Sequence, residues 1–122
     1  MDWHTARAHC LAMPGTSEDK PFGPDVLVMR VADKMFALFD AQPPADDQPT
    51  TINLKCDPEL AVILRETYAA VQPGYHMNKR HWNTITLDGS IPDDEVLEMI
   101  DESYRLVARG LKKAQRQALG LD

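Results

Sequence analysis

The stretch PGYHMNKRHWNTITL, residues 73–87, decides how the rest of the chain is interpreted. It contains no acidic residue, and among its side chains are His76, Lys79, Arg80, His81 and Trp82. The complete chain has 122 residues and a formal net charge of −6, so this stretch is a positive island in an acidic protein. A local basic patch can attract phosphates at short range even when the net charge opposes them. We therefore expect a partner surface here.

The same stretch predicts a hairpin. Residues 82–87, WNTITL, are rich in β-branched side chains and predict a strand, and residues 74–77 predict its short antiparallel neighbour. Asn78 and Lys79 occupy the position of the tight turn, because asparagine tolerates a positive φ. A basic tip of this kind can reach phosphates while Trp82 stacks on a base. The alternative interpretation is a polar turn followed by a tryptophan in the core.

Upstream of this stretch, the chain predicts one helix and then a loop. Asp2 caps a helix that ends at Pro14. Residues 15–25, GTSEDKPFGPD, are polar and rich in turn formers. They predict a loop, with Phe22 turned inward as its anchor.

Three strands and a connector follow this loop. Residues 26–31, VLVMRV, and residues 35–39, MFALF, predict an antiparallel hairpin closed at residues 32–34. Residues 40–50 contain three prolines and three aspartates and predict a flexible connector. Residues 51–55, TINLK, predict the third strand.

Two helices flank the central stretch. The first starts at Asp57-Pro58-Glu59 and is expected to end near Ala70, because aspartate caps free amides and proline suits the first helical position. Its apolar stripe, expected to be buried on the sheet, is Leu60, Ile63, Leu64, Thr67 and Tyr68. The last helix opens at residues 90–94 and is interrupted at Gly110, and its acidic residues precede its basic ones, which complements the helix dipole. Its predicted buried face is Val96, Ile100, Tyr104, Val107 and Leu111.

The order of these elements is α-β-β-β-α-β-β-α. One mostly antiparallel sheet covered by helices is the economical two-layer arrangement for such an order, so we predict an α+β fold. The length leaves room for one core, so we expect residues 1–122 to form a single domain.

Catalytic and metal-binding patterns are absent from the sequence. It contains no GxGxxG, P-loop, GxSxG or HExxH motif, so we expect no enzymatic activity and no cofactor. Cys10 and Cys56 are far apart in sequence and are expected to be reduced, partly buried thiols. No metal site is expected. The first residues lack the apolar core of a signal peptide, and no apolar run is long enough to span a membrane, so we expect a cytoplasmic protein.

Several separated blocks of this sequence resemble the YjbR/MmcQ family of small bacterial proteins. The blocks are CLAMPGTSEDKPFG at 10–23, DKMFAL at 33–38, INLKCDPELAVILRE at 52–66, PGYHMNKRHWNTITLDG at 73–89 and IPDDEVLEMIDESYRLV at 91–107. The resemblance implies an α-β3-α-β2-α fold of the frataxin-like (CyaY-like) or secretion-chaperone-like kind. It does not extend to the iron binding of frataxins, because the acidic cluster here lies on the last helix rather than the first.

The resemblance also implies DNA binding by a double wing. The two wings map to residues 32–34 and 78–80. The residues of these wings and of the basic stretch that we expect to contact nucleic acid are Lys34, His76, Asn78, Lys79, Arg80, His81 and Trp82. We expect DNA binding to be weak and dominated by phosphates, in a monomeric regulatory or accessory protein. The alternative is a chaperone-like module that binds another protein through the sheet and the acidic helix front at residues 93–102.

Overall fold

The computed structural model describes residues 1–45 and 48–121. In chain order, its helices and strands are α1 (Trp3–Leu11), β1 (Thr16–Asp19), β2 (Val26–Val31), β3 (Lys34–Asp40), β4 (Thr50–Lys55), α2 (Pro58–Thr67), β5 (Val71–Pro73), β6 (Trp82–Leu87), α3 (Asp93–Arg109) and α4 (Lys113–Ala118). The strands form one antiparallel sheet in the order β1-β2-β3-β4-β6-β5. The predicted α+β fold class is therefore confirmed.

The main core lies between one face of the sheet and helices α1 and α3. Alternating side chains of β2, β3, β4 and β6 meet buried residues such as Ala6 of α1 and Ile100 of α3. The five residues predicted as the buried face of the last helix are all buried, and Gly110 ends α3 as expected. A second, smaller cluster on the sheet comprises Val28, Leu38 and Trp82.

Local signals also predicted the hairpin and one helix start correctly. β2 and β3 pair antiparallel around residues 32–34. The Asp57 carboxylate accepts from the Glu59 N–H at 3.0 Å, and Pro58 opens α2. The helix ends at Thr67 rather than near Ala70, because Tyr68 is extended. Of the predicted connector, residues 46–47 lie outside the described residues.

The expected loop at residues 15–25 contains a strand that sequence analysis missed. β1, TSED, pairs with β2, and its acidic side chains meet arginines of neighbouring elements. Arg7 binds Glu18 at 2.6 Å, and Arg30 binds Asp19 at 3.1 Å. The prediction for Phe22 was also wrong, because that side chain is 63% exposed.

Two predictions around α2 were wrong. Leu60 and Ile63 are 38% and 55% exposed, and Leu64 is half-buried, so the apolar stripe is not buried on the sheet. Ala61 is the residue of α2 that is fully buried. The strand expected at residues 74–77 lies earlier, because β5 spans Val71–Pro73 and Pro73 is tolerated on a sheet edge.

Candidate functional site

Residues 74–81, called the basic loop below, connect β5 to β6 and are fixed by backbone hydrogen bonds. The Gly74 N–H donates to the Trp82 carbonyl at 2.9 Å, and the Trp82 N–H donates to the Asn78 carbonyl at 3.0 Å. Gly74 cannot carry a side chain without strain, since a Cβ there would lie 2.8 Å from the Trp82 Cβ. The positive φ of the loop falls on His76, at 58°, and not on Asn78. The loop therefore has a defined shape.

Most of the predicted contacts in this loop are accessible. His76, Asn78, Lys79 and Arg80 are exposed, and His81 is half-buried. The Lys79 ammonium donates to the Gly74 carbonyl at 2.9 Å, and the Asn78 side chain accepts from the Arg80 N–H at 2.9 Å. Among the described residues, no carboxylate lies within ion-pair distance of Lys79 or Arg80.

Trp82 does not fit the role of a stacking side chain. It is 8% exposed and packs against Val28 and Leu38, with the partly buried Met77 beside it. The alternative of a core tryptophan is therefore the correct one. Sequence analysis missed Tyr75, which is 69% exposed and whose ring lies 4.0 Å from that of His76. The signal available in the sequence was the position of Tyr75 within the basic loop, between Gly74 and His76.

The two predicted wings project from the same end of the sheet. Ala37 pairs with Leu54 in β4, and Lys34 lies three residues further towards this end. Lys55, the next residue of β4, pairs with Trp82, which directly follows the basic loop. Lys34 is exposed, and in the described chain it has no ion-pair partner. β4 separates the two wings.

Helix α4 adds positive charge beside the first wing. Its Gln115 side chain contacts the Asp33 carboxylate at 3.4 Å, and Lys112 and Lys113 open the helix. We call the surface formed by both wings and the start of α4 the basic end. Asp33 is the acidic residue within the first wing.

Acidic residues gather at the opposite end of the sheet. There Thr50 of β4 pairs with Leu87 of β6. A surface depression beside this pair is lined by Asp2, Asp88 and Asp93. These three aspartates therefore lie at the end of the sheet away from Lys79 and Arg80, whereas Asp57 and Glu59 at the start of α2 lie near the basic loop.

A second surface feature is the α2–α3 cleft, a cavity of about 290 Å³. Its floor includes the buried Leu54 and Ile85 of the sheet. Its walls and rim are formed by Leu60, Leu64 and Tyr68 from the α2 side and by Glu95, Glu98, Met99 and Glu102 from α3. The Tyr68 hydroxyl donates to the Glu95 carboxylate across the cleft, and this hydrogen bond raises the pKa of Tyr68.

Arg65 joins α2 to the basic loop. Its guanidinium donates to the Lys79 carbonyl and, at 2.7 Å, to the Asn83 side-chain oxygen. The Asn83 amide donates in turn to the Ala61 carbonyl at 3.4 Å. Polar contacts therefore tie the position of α2 to that of the loop, in addition to the partial packing of Leu64 and Tyr68 against the core.

The cysteines offer poor nucleophiles. Both are free and buried, and burial raises the pKa of Cys10 to about 12 and that of Cys56 to about 11. A thiol in this state has little thiolate at neutral pH. Across residues 1–45 and 48–121, no three His, Cys, Asp or Glu side chains are grouped so that they could hold a metal ion. In the same ranges, no helix has the length and hydropathy needed to cross a membrane.

Comparisons with known proteins give one consistent family. The family model described as YjbR matches residues 11–106. The chain is 33% identical over 111 residues to Uncharacterized protein YjbR of Escherichia coli, covering 91% of each protein. The crystal structure of a Deinococcus radiodurans protein with a DUF419 domain matches with a TM-score of 0.84 at 39% identity, covering 95% of this chain and 86% of that one. A crystal structure from Pseudomonas syringae matches with a TM-score of 0.73 at 32% identity, covering 87% of this chain and 98% of that one.

Proposed function

This chain belongs to the YjbR family, and for it we propose a binding function without catalysis: weak, sequence-independent contact with nucleic-acid phosphates through the basic end. The observation that carries the proposal is a group of exposed cations that have no ion-pair partner. Lys34, Lys79 and Arg80 are exposed at one end of the sheet, and no carboxylate is within ion-pair distance of them in the described chain. Elsewhere Arg7, Arg30 and Arg105 are paired with acidic side chains. Such unpaired cations are available for phosphates.

The fixed shape of the basic loop supports the same proposal. Its backbone hydrogen bonds hold Lys79 and Arg80 before any ligand arrives, so little conformational entropy is lost on binding. Neither wing presents a helix to a major groove, so base-specific recognition is not part of the proposal. Tyr75 replaces Trp82 as the side chain available for stacking on an unpaired base.

Fluorescence anisotropy with labelled duplex and single-stranded DNA at low salt tests this proposal. Two phosphate contacts by Lys79 and Arg80 give a slope of about −1.8 for log affinity against log salt, and a third by Lys34 gives about −2.7. The double variant Lys79→Ala/Arg80→Ala should bind more weakly with a flatter slope.

A matched pair of single variants localises the effect. Lys34→Ala removes an exposed lysine from the first wing, and Lys20→Ala removes an exposed lysine that follows β1 towards the opposite end. We expect Lys34→Ala to weaken DNA binding and Lys20→Ala to leave it unchanged. If the wild type does not bind at tens of micromolar protein, or if all variants bind equally well, the basic end is not a phosphate-binding surface.

A second candidate function is a protein-interaction module in a monomeric accessory protein. The specific observation in its favour is the apolar surface of α2 beside the α2–α3 cleft, on which Leu60 and Ile63 are 38% and 55% exposed. An apolar helix face that its own chain leaves uncovered is typical of an interaction surface. The two functions use different surfaces and are tested separately.

A further inference from the structure

The spacing of apolar residues in α2 is typical of a buried helix face, but part of this face is exposed in the structure. Leu60, Ile63 and Leu64 follow the i, i+3, i+4 pattern of a helix face that packs on a core. The structure directs the smaller Ala61 fully into the core and packs Leu64 only partly against it. Leu60 and Ile63 are left exposed at the cleft and in solvent. The pattern therefore indicates that another molecule covers this stripe.

The α2–α3 cleft extends this apolar surface inward. Leu60 and Leu64 line the cleft on one side, and Met99 lines it on the other. Ile63 continues the surface over the outside of α2. A cavity of about 290 Å³ has room for one or two side chains, while the exposed stripe beyond it requires a longer partner. This combination fits a protein segment that inserts an apolar side chain and lies along the helix.

The charge around the cleft selects the partner. Glu95, Glu98 and Glu102 lie at the cleft on one face of α3. The helix carries six carboxylates and no cation from Asp93 to Glu102. Arg105 binds Glu98 at 2.7 Å and Glu102 at 2.8 Å, and so neutralises part of this charge. Lys55 also lines the cleft, so the three glutamates exceed the two cations Arg105 and Lys55 by one charge. This remaining negative charge favours a basic partner.

We propose that the α2–α3 cleft binds a cationic amphipathic helical segment of another protein, with its apolar side chains on Leu60, Ile63 and Leu64 and its lysines or arginines facing the glutamates of α3. This inference rests on the second candidate function and adds the chemistry of the partner to it. A second copy of the chain fits the site less well, because two copies that each carry a charge of −6 repel.

The test uses three fluorescent designed peptides and anisotropy titrations of the complete protein. One peptide is an amphipathic Leu/Lys helix, the second is a Leu/Glu helix with the same apolar pattern, and the third is a Ser/Lys helix without an apolar face. The Leu/Lys peptide should bind at least about 10-fold more tightly than either control. High salt should weaken its binding.

Variants on α2 then locate the contact. Leu60→Ser alters an exposed side chain that lines the cleft, and Val62→Ser alters one of similar exposure outside the cleft. We expect Leu60→Ser to weaken binding about 10-fold and Val62→Ser to leave it unchanged. Glu98→Gln should weaken the binding of the Leu/Lys peptide but not that of the two control peptides. Because each change is at an exposed position, circular dichroism should show a native fold for all three variants.

The possible outcomes separate the inference from the function on which it rests. If the Leu/Lys and Leu/Glu peptides bind equally well at the cleft, the cationic partner is wrong while the interaction surface remains. If no peptide binds, or if Leu60→Ser and Val62→Ser behave alike, both are wrong. Sedimentation that shows a dimer disrupted by Ile63→Ser would assign the stripe to a second copy and overturn the proposal. The variant Lys34→Ala, on the wing that β4 separates from the basic loop, should not alter peptide binding, which keeps this test independent of the phosphate surface.

Discussion

Replacing Ser103 by alanine tests how the sheet is held near its basic end. Ser103 is fully buried, and its hydroxyl donates to the Phe36 carbonyl at 2.6 Å and accepts from the Lys55 N–H at 2.9 Å. The ladder between β3 and β4 ends at the pair Ala37–Leu54, so Phe36 and Lys55 would form the next pair. The serine hydroxyl of α3 therefore takes the place of a direct bond between the two strands.

The cost of Ser103→Ala follows from the two groups that it leaves without a partner. One is the carbonyl of Phe36 and the other is the N–H of Lys55. A buried polar group deprived of its hydrogen bond costs about 1–3 kcal/mol, so the loss of two partners should lower the free energy of unfolding by about 2–6 kcal/mol. If the strands moved together and bonded directly, the loss would be below about 1 kcal/mol.

Thr50→Val is the matched control for this change. Thr50 is also buried in the sheet, at 2% exposure, but in the described residues its hydroxyl has no hydrogen-bond partner. Replacing it with the isosteric valine removes an unsatisfied group, so stability should be unchanged or increased by up to about 1 kcal/mol. Each variant thus removes one buried hydroxyl, which is hydrogen-bonded in Ser103 and without a partner among the described residues in Thr50.

Urea unfolding followed by circular dichroism measures both effects. The midpoint should fall for Ser103→Ala and hold or rise for Thr50→Val, with the slope m unchanged in both. A loss below about 1 kcal/mol for Ser103→Ala would show that the strands do not depend on the hydroxyl bridge. Equal losses for the two variants would show that hydrogen bonding does not distinguish the sites.

Two further predictions concern packing and titration. Ile100→Ala, in a fully buried position, should lower the free energy of unfolding by about 2–5 kcal/mol, whereas Ile63→Ala, at a 55% exposed position, should change it by less than about 0.5 kcal/mol in the same urea assay. Burial raises the pKa of Cys10 to about 12 and that of Cys56 to about 11, from an ordinary thiol pKa of 9.0, so the fold favours the protonated thiols. The stabilisation that the protonated thiols give the fold is complete below the ordinary thiol pKa of 9.0 and is lost as the pH rises through the raised values. The urea midpoint should therefore fall above roughly pH 9, and a disulfide reagent at neutral pH should react far more slowly with native than with unfolded protein.

The sequence predicted the elements whose signals are local and periodic. The start of α2 depends on Asp57 and Pro58, which act within one helical turn. The buried face of α3 repeats at helical spacing, and each of its predicted members is buried. β1 has no such signal, because TSED has no apolar residue and its formation depends on pairing with β2. A strand held by its neighbours cannot be recognised from its own residues.

The candidate site was predictable in position but not in the role of each side chain. The basic loop contains exposed Lys79 and Arg80, as the absence of acids in that stretch indicated. Whether an aromatic residue faces solvent depends on tertiary packing, so the sequence could not decide between a stacking and a core Trp82 and did not indicate that Tyr75 is exposed. The α2–α3 cleft was missed for a related reason. A stripe such as Leu60, Ile63 and Leu64 has the same periodicity whether its cover comes from the same chain or from another.

The net charge of −6 does not decide between a phosphate ligand and a cationic peptide, because each ligand meets only the charges near it. The pair Thr50–Leu87 marks the acidic end and the pair Lys55–Trp82 marks the basic end. Five steps along β4, at about 3.3 Å each, separate these pairs by about 17 Å. This is roughly two Debye lengths of about 8 Å at physiological salt. The acidic end is therefore largely screened from a phosphate at Lys79. The glutamates of α3 lie directly at the cleft that they border, so salt leaves much of their attraction for a bound cation in place.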